Sequence, residues 1–95
     1  MVTSLSKSEE KLVFALQLLG DKTRFKIFKL LTQDQELCVS EIASQLNVSV
    51  SAVSQHFRQF EMLGIVGKER AGQKICYCLN NQDIFVNQLK TLIKE

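Results

Sequence analysis

Proline and tryptophan are absent from the 95 residues of this sequence, and histidine and tyrosine occur once each. No low-complexity linker and no internal repeat interrupts the chain, which predicts one domain over residues 1–95. The lone histidine has no paired acid–base residue and no nucleophile to partner it, and no phosphate-cradling glycine loop is present. The sequence therefore argues against an enzyme.

Long apolar runs and a strong charge of one sign are also missing. No run approaches the ~20 residues of a membrane span and no signal peptide precedes the domain, so we expect a cytoplasmic protein with no membrane partner. The net charge of +2 is too small to indicate nucleic-acid binding by itself. Three cysteines cannot all pair within one chain, which favours reduced thiols.

Residues 39–63 are the most informative segment, because they predict a helix, a tight turn and a second helix. Apolar side chains repeat at helical spacing in both helices: Val39, Ile42, Ala43 and Leu46 in the first, and Val53, Phe57 and Phe60 in the second. Ser49 is a good N-cap for the second helix, and Gly64 ends it. This layout is typical of a helix-turn-helix DNA-binding motif.

The second helix carries polar groups opposite its apolar stripe. After the capping Ser49, these are short hydroxyls, a carboxamide and a guanidinium, on Ser51, Ser54, Gln55 and Arg58. Such groups reach base edges and phosphates in a major groove, whereas lysine and glutamate would be ordinary on a solvated surface. We therefore predict a DNA-reading face, the alternative being a packing helix whose polar side is incidental.

A basic β-hairpin follows the second helix. Residues 65–70 and 74–79 predict two strands, joined by a tip at 71–73. The hairpin carries the basic residues Lys68, Arg70 and Lys74 against one acidic residue, Glu69. A basic hairpin directly after a reading helix is typical of a wing, which contacts the DNA backbone or minor groove beside that helix.

The two ends of the chain, residues 1–20 and 82–95, predict helices that form a dimer interface. Ser6 and Glu9 predict a capping box at the start of the first helix. The apolar residues expected to contact a second subunit are Leu12, Leu16 and Leu19 in the first helix, and Phe85, Leu89 and Leu92 in the last. A domain this small buries a modest fraction of its surface unaided, which favours a partner over helices that simply close the monomer core.

Four segments resemble, in order and spacing, the ArsR/SmtB family of winged-helix repressors: residues 19–27, 36–43, 53–57 and 72–79. The resemblance covers nearly the whole chain. It implies a mainly α winged helix-turn-helix fold, with about five helices, two to three short strands and a small β-hairpin wing. It also implies a homodimeric repressor that binds a pseudo-palindromic operator in double-stranded DNA, with its reading helices about 34 Å apart.

The family's metal sites match this sequence poorly. Members that detect arsenite or soft metals often carry two cysteines within the segment corresponding to residues 36–41; Cys38 matches the first, but Ser40 replaces the second. A serine hydroxyl is a poor soft-metal ligand. Asp83 matches one ligand of a second family site on the last helix, whereas Phe85 occupies a histidine position. Both sites are therefore expected to be degraded or absent.

A different cysteine group offers three interpretations. Cys76 and Cys78 lie two apart and so project from one face of a strand, and pairing of the Cys38 strand beside them would bring three thiols together. Three thiolates suit a thiophilic ion such as cadmium, lead or arsenite. Alternatively the thiols oxidise to signal redox state, or they are small apolar fillers.

Two functions from different classes follow from these patterns. The first is a sequence-specific, dimeric transcriptional repressor that an inducer releases from its operator, either a thiophilic metal or thiol oxidation. The second is a winged-helix module for protein interaction, whose basic hairpin is merely solvated. Gln55 and Arg58 distinguish them, because their substitution changes DNA binding only in the first case.

Overall fold

The structure, a computed structural model, describes residues 3–33 and 36–93. Among these residues the elements follow in the order α1 (Lys7–Leu19), α2 (Lys22–Gln33), β1 (Leu37–Cys38), α3 (Val39–Leu46), α4 (Val50–Met62), β2 (Val66–Ala71), β3 (Lys74–Leu79) and α5 (Ile84–Ile93). The prediction of a mainly α fold with a small hairpin wing is confirmed. The predicted terminal helices extended over residues 1, 2, 94 and 95, which lie outside the described residues.

Local hydrogen bonds determine where the helices begin and end. Ser6 and Glu9 form the predicted capping box: the Ser6 hydroxyl accepts from the Glu9 amide at 3.1 Å, and the Glu9 carboxylate accepts from the Ser6 amide at 2.9 Å. At the end of α4, Gly64 takes the left-handed conformation with a φ of 72°. The amide of Ile65 then donates to the carbonyl of Phe60 at 3.3 Å, which closes the last turn.

The three strands form one antiparallel sheet in the order β1-β3-β2. Leu37 pairs with Tyr77 and Cys38 with Cys76, so the short strand before α3 joins the second wing strand. Ala71 pairs with Lys74 and belongs to β2, which shortens the predicted tip to two residues. Gly72, with a φ of 63°, supplies the positive φ that so tight a hairpin needs.

Three phenylalanines, none with any exposed surface, form the centre of the core. The Phe60 ring lies 6.4 Å from that of Phe28 on α2 and 6.2 Å from that of Phe57 on its own helix. Val53 is also fully buried, so the predicted apolar stripe of α4 is confirmed in full. Because this stripe packs inward, the opposite side of α4 is held at the surface.

Some of the residues predicted to contact a partner from the terminal helices are exposed in the single chain, whereas one lies in its core. The buried residues of α1 are Ala15 and Leu18, whereas Leu12 and Leu16 are 42% and 53% exposed. On α5, Leu89 is only 2% exposed, so its side chain belongs to the core of the single chain. The leucine spacing of α1 therefore identified its outward side.

Candidate nucleic-acid interface

The turn between α3 and α4 sets the direction of the predicted reading helix. Asn47 ends α3 in the left-handed conformation with a φ of 54°, which asparagine tolerates better than most residues. The Val48 amide then donates to the carbonyl of Ala43 at 3.1 Å. Ser49 begins α4, and its hydroxyl oxygen accepts from the Ala52 amide at 3.1 Å, as predicted for an N-cap.

The polar side of α4 faces outward. Ser51, Gln55 and Arg58 are exposed and Ser54 is half-buried. The hydroxyl oxygens of Ser49 and Ser51 lie 3.4 Å apart at the start of the helix. This side of α4 presents hydroxyl, amide and guanidinium groups in the range of side chains that bind base edges and phosphates.

The pairing register gives the wing a basic face and an acidic face. Lys68 pairs with Tyr77 and Arg70 with Ile75, which places both basic residues on the face that carries the core residues of β3. Glu69 pairs with Cys76 and so lies on the other face. Since side chains alternate along a strand, Lys74 shares that other face, away from the two basic residues with which the sequence grouped it.

Carboxylates gather on the same side as Glu69. A hydrogen bond with the Glu69 side chain raises the pKa of Glu36, and the negative charges of Glu69 and Glu41 add to the rise. Glu41 also accepts a hydrogen bond from the Cys38 amide at 2.9 Å. The negative potential of this region would repel a phosphate backbone, so the face that carries Lys68 and Arg70 is the one suited to DNA.

Tyr77 joins the wing to α4. Its ring stacks on that of Phe57 with a centroid distance of 4.0 Å and an interplanar angle of 5°. Its hydroxyl donates to the Glu61 carboxylate at 3.0 Å. Burial, with a smaller effect of Glu61, raises the pKa of Tyr77 to about 12, so the phenol keeps its proton and remains a donor. The basic face of the wing is thereby held beside α4.

Arg24 connects the same helix to the end of α1, a contact that could not be predicted from the sequence. The guanidinium donates to the Leu18 carbonyl from Nε at 2.7 Å and to Gln59 Oε1 from Nη1 at 3.1 Å. Its own backbone amide donates to the Asp21 carboxylate at 3.0 Å, which caps α2. The three helices α1, α2 and α4 therefore meet at one side chain.

His56 lies beside this guanidinium on α4. Burial is the main cause that lowers the pKa of His56, and the positive charge of Arg24 adds to it. The Nδ1 atom is buried and has no hydrogen-bond partner within residues 3–33 and 36–93. The imidazole is accordingly neutral at pH 7 and packs between the apolar stripe and the polar side of α4.

The cysteines do not form the predicted group of free thiols. Cys38 and Cys76, which pair across β1 and β3, are joined by a disulfide, while Cys78 is free and half-buried. The expectation of three reduced thiols was wrong, because the strand register sets Cys38 directly opposite Cys76 and the two form a bond. Within the described part of the chain, no three histidine, cysteine or acidic residues are grouped to hold a metal ion.

Asp83 has a structural partner where the family resemblance suggested a metal ligand. Its carboxylate accepts from the Phe85 amide at 2.8 Å, which caps α5. It also lies 3.9 Å from the Lys11 ammonium, and that ammonium stands 4.8 Å from the centre of the Phe85 ring. These contacts join α1 to α5.

A second surface lies on the two terminal helices. Its large apolar side chains are exposed by 38% to 76%: Leu12, Val13, Phe14 and Leu16 on α1, and Ile84 and Leu92 on α5. Of the six residues predicted to contact a partner, Leu12, Leu16 and Leu92 are exposed, Leu19 and Phe85 are partly buried, and Leu89 is in the core. We call the six exposed residues the terminal-helix surface. No helix within residues 3–33 and 36–93 is long and apolar enough to cross a membrane.

Comparison with known proteins places this geometry in a family. The model of the arsR family of bacterial regulatory proteins matches residues 21–68, which include α2, α3, α4 and the start of the wing. A cadmium resistance transcriptional regulatory protein, CadC, of Listeria innocua is 34% identical over 65 residues, which are 68% of this chain and 55% of that protein. The chain thus spans about half the length of that relative.

A second relative is similar in both sequence and structure. The transcriptional activator HlyU of Vibrio cholerae is 31% identical over 80 residues, which are 84% of this chain and 73% of that protein. The solved structure of HlyU from Vibrio cholerae covers 94% of both chains with a TM-score of 0.81 and 29% identity. The likeness therefore includes the terminal helices, beyond the segment that the family model matches.

Proposed function

Because the chain belongs to the arsR family of bacterial regulatory proteins, we propose that it is a cytoplasmic, homodimeric transcriptional regulator that binds a specific operator in double-stranded DNA. The observation that carries the proposal is the contact of Tyr77 with Phe57 and Glu61, which holds the basic face of the wing beside α4. In this arrangement α4 enters the major groove, while Lys68 and Arg70 neutralise phosphates beside it.

The side chains divide between reading and positioning. Gln55 is the main candidate to read sequence, because a carboxamide makes a bidentate pair with adenine. Arg58 binds guanine or phosphate, and the hydroxyls of Ser51 and Ser54 complete the contacts in the groove. Lys74 and the hydroxyl of Ser49 are assigned to phosphate, since the first lies at the tip of the wing and the second already caps the helix.

Dimerisation uses the terminal-helix surface. Six large apolar side chains exposed on adjacent terminal helices are more than a monomer of this size ordinarily leaves in water. A two-fold dimer would bury these side chains on both subunits. It would also place two copies of α4 about one helical turn of DNA apart. The operator is therefore an inverted repeat, and occupancy of a promoter by the dimer represses transcription.

Thiol oxidation is the proposed signal, supported by the disulfide between Cys38 and Cys76. In the reaction the two thiols lose two electrons and two protons to hydrogen peroxide, which leaves as two waters. The new bond joins the start of α3 to β3 and so restricts how the wing adjusts to DNA. As a result the protein dissociates from the operator. Cys78 remains a thiol.

A thiophilic ion is a second candidate signal, favoured by the similarity to a cadmium resistance regulator. The cysteines as bonded in this structure do not fit such an ion, because a metal binds thiolates and two of the three sulfurs are in the disulfide. Reduction would have to come first. Cadmium, lead and arsenite are the ions to test on the reduced protein.

The test is fluorescence-anisotropy titration of the reduced protein against its own promoter region and against a shuffled duplex, before and after peroxide. Preferential binding to the promoter that peroxide weakens supports the whole proposal. Preferential binding without any response to peroxide or metal leaves a DNA-binding regulator with structural cysteines. Equal binding to both duplexes contradicts the proposal and favours the protein-interaction module.

A further inference from the structure

Val50, the first residue of α4, is an aliphatic side chain with 53% of its surface exposed. The residues on both sides of it are serines. The Ser49 hydroxyl oxygen already accepts from the Ala52 amide, and it lies 3.4 Å from the Ser51 hydroxyl. The first turn of α4 therefore presents one apolar group between two hydroxyls that are partly occupied with each other and with the helix.

The dimer interface does not account for this exposure. Val50 lies at the start of α4, whereas the terminal-helix surface belongs to α1 and α5. A single exposed valine is ordinary on a protein surface and by itself indicates nothing. Its position is what carries information, because the N-terminal residues of the second helix contact base edges in a helix-turn-helix motif.

Helical spacing puts Val50 on the row of α4 that continues toward the wing. Val50, Ser54 and Arg58 occur at i, i+4 and i+8, so their side chains follow one another along one side of the helix. Arg58 is near enough to Tyr77 that its charge acts on the phenol. The row therefore begins with an apolar group at the N-terminal end of α4 and ends with a cation beside the wing.

Each base pair presents a different pattern in the major groove, and thymine alone presents a methyl group there. An isopropyl group at the start of α4 suits that methyl, since neither group loses a hydrogen bond on contact. Valine is also stiff about χ1, so little rotamer freedom is lost when it is fixed. A hydrogen-bonding base edge would be left unpaired against it.

We propose that Val50 is a specificity-determining residue, whose side chain packs against the C5-methyl of one thymine in each half-site of the operator. The inference rests on the proposed function, because it requires α4 to lie in the major groove. It adds a hydrophobic contact to the polar set of Gln55, Ser54 and Arg58. It also predicts what base that contact selects.

The experiment begins with selection of bound duplexes from a random DNA library by the full-length protein. Each thymine of the selected site is then replaced in turn by deoxyuridine, which removes the methyl and keeps every hydrogen bond. We expect one thymine per half-site at which this replacement weakens binding about fourfold, the value of one buried carbon. Val50→Ala changes both half-sites of the dimer at once, so it should weaken binding to the thymine duplex about sixteenfold, and it should be indifferent to deoxyuridine at that position.

Two further variants separate reading from folding. Val50→Ile keeps an apolar branched side chain and should keep the preference for thymine. Val48→Ala removes a neighbouring half-buried valine from the edge of the core and should lower stability without changing the deoxyuridine profile. If Val50→Ala and the natural protein respond identically to every deoxyuridine, the inference is wrong while DNA binding stands. If no sequence is enriched from the library, the proposed function fails with it.

Discussion

Arg24 and Gln59 join the corner between the first two helices to α4, through a hydrogen bond of 3.1 Å from guanidinium Nη1 to amide Oε1. The same guanidinium holds the Leu18 carbonyl at 2.7 Å, near the C-terminal end of α1. Since α1 carries much of the terminal-helix surface and α4 the reading face, one side chain connects the two surfaces of the proposed regulator.

Replacement of Arg24 by alanine should therefore lower the free energy of unfolding by about 1.5–3 kcal/mol, the range for hydrogen bonds that involve a charged group. Chemical denaturation measures the change. Lys26→Ala, an exposed basic residue two positions along α2, is the matched control and should change stability by less than about 0.5 kcal/mol. Equal effects of the two substitutions would contradict the connection described here.

Tyr77 is the single tyrosine of the chain, so the ultraviolet absorbance of tyrosinate reports on it alone. Its pKa in the folded protein is about 12, against a reference value of 10.0. Because the folded state favours the protonated phenol, this contribution to stability is fully present below pH 10 and is lost as pH rises toward 12. We expect a spectroscopic titration near 12 in the native protein and near 10 in denaturant.

Two variants test the causes of that shift. Glu61→Gln should lower the pKa of Tyr77 while keeping it well above 10, since burial contributes more than the carboxylate. Tyr77→Phe should remove the loss of stability between pH 10 and 12 and should cost about 1 kcal/mol at neutral pH through the lost hydrogen bond. A native titration at 10 would show that the phenol is not packed on Phe57 as described.

If the terminal-helix surface forms the dimer interface, one charged side chain placed in it should weaken the dimer strongly. Leu92→Asp places a carboxylate at a side chain that is 76% exposed in the single chain. Burial of a leucine is worth about 1.5–3 kcal/mol, and a two-fold interface counts it twice, so dimer affinity should fall at least a hundredfold. Sedimentation equilibrium measures the change.

Met62→Asp is the control for that substitution, because Met62 is 74% exposed but lies on α4. It should leave the dimer intact. If both variants sediment as the natural protein does, α5 is not part of the interface.

The effect of oxidation on operator binding should depend on Cys38 and Cys76 and not on Cys78. Cys38→Ser and Cys76→Ser should each abolish the change in operator affinity that peroxide causes, because either substitution prevents the cross-strand disulfide. Cys78→Ser should respond as the natural protein does. Thiol labelling followed by mass spectrometry identifies the bonded pair, and a response that depends on Cys78 instead would overturn the assignment.

Features that depend on residues close together in the chain, such as helix caps, were predictable from the sequence. Features that depend on contacts between distant segments were not. Ser6, Ser49 and Gly64 act within four residues of themselves, so their capping roles followed from the sequence and are confirmed. In α1 apolar residues occur on nearly every side, and periodicity alone could not show that Ala15 and Leu18 face inward. The pairing of Cys38 with Cys76 depends on a strand register that spans 38 residues of chain.

The candidate site likewise has features that the sequence could predict and features that it could not. The outward face of α4 could be predicted because a 3.6-residue period fixes which side is opposite the stripe of Val53 and Phe57. The wing could be located, but its two faces could not be assigned, since a shift of one residue in register would exchange them. The sequence consequently grouped Lys74 with Lys68 and Arg70, from which the pairing separates it.

The most direct test of the central claim is the salt dependence of binding to the selected operator. Each phosphate contact contributes about 0.9 to the slope of log affinity against log salt. Replacement of both Lys68 and Arg70 by alanine should therefore reduce that slope by about 3.6 in a dimer, with a smaller effect from Lys74→Ala. A slope that is unchanged by the double substitution, with no preference for the operator over a shuffled duplex, would contradict the account.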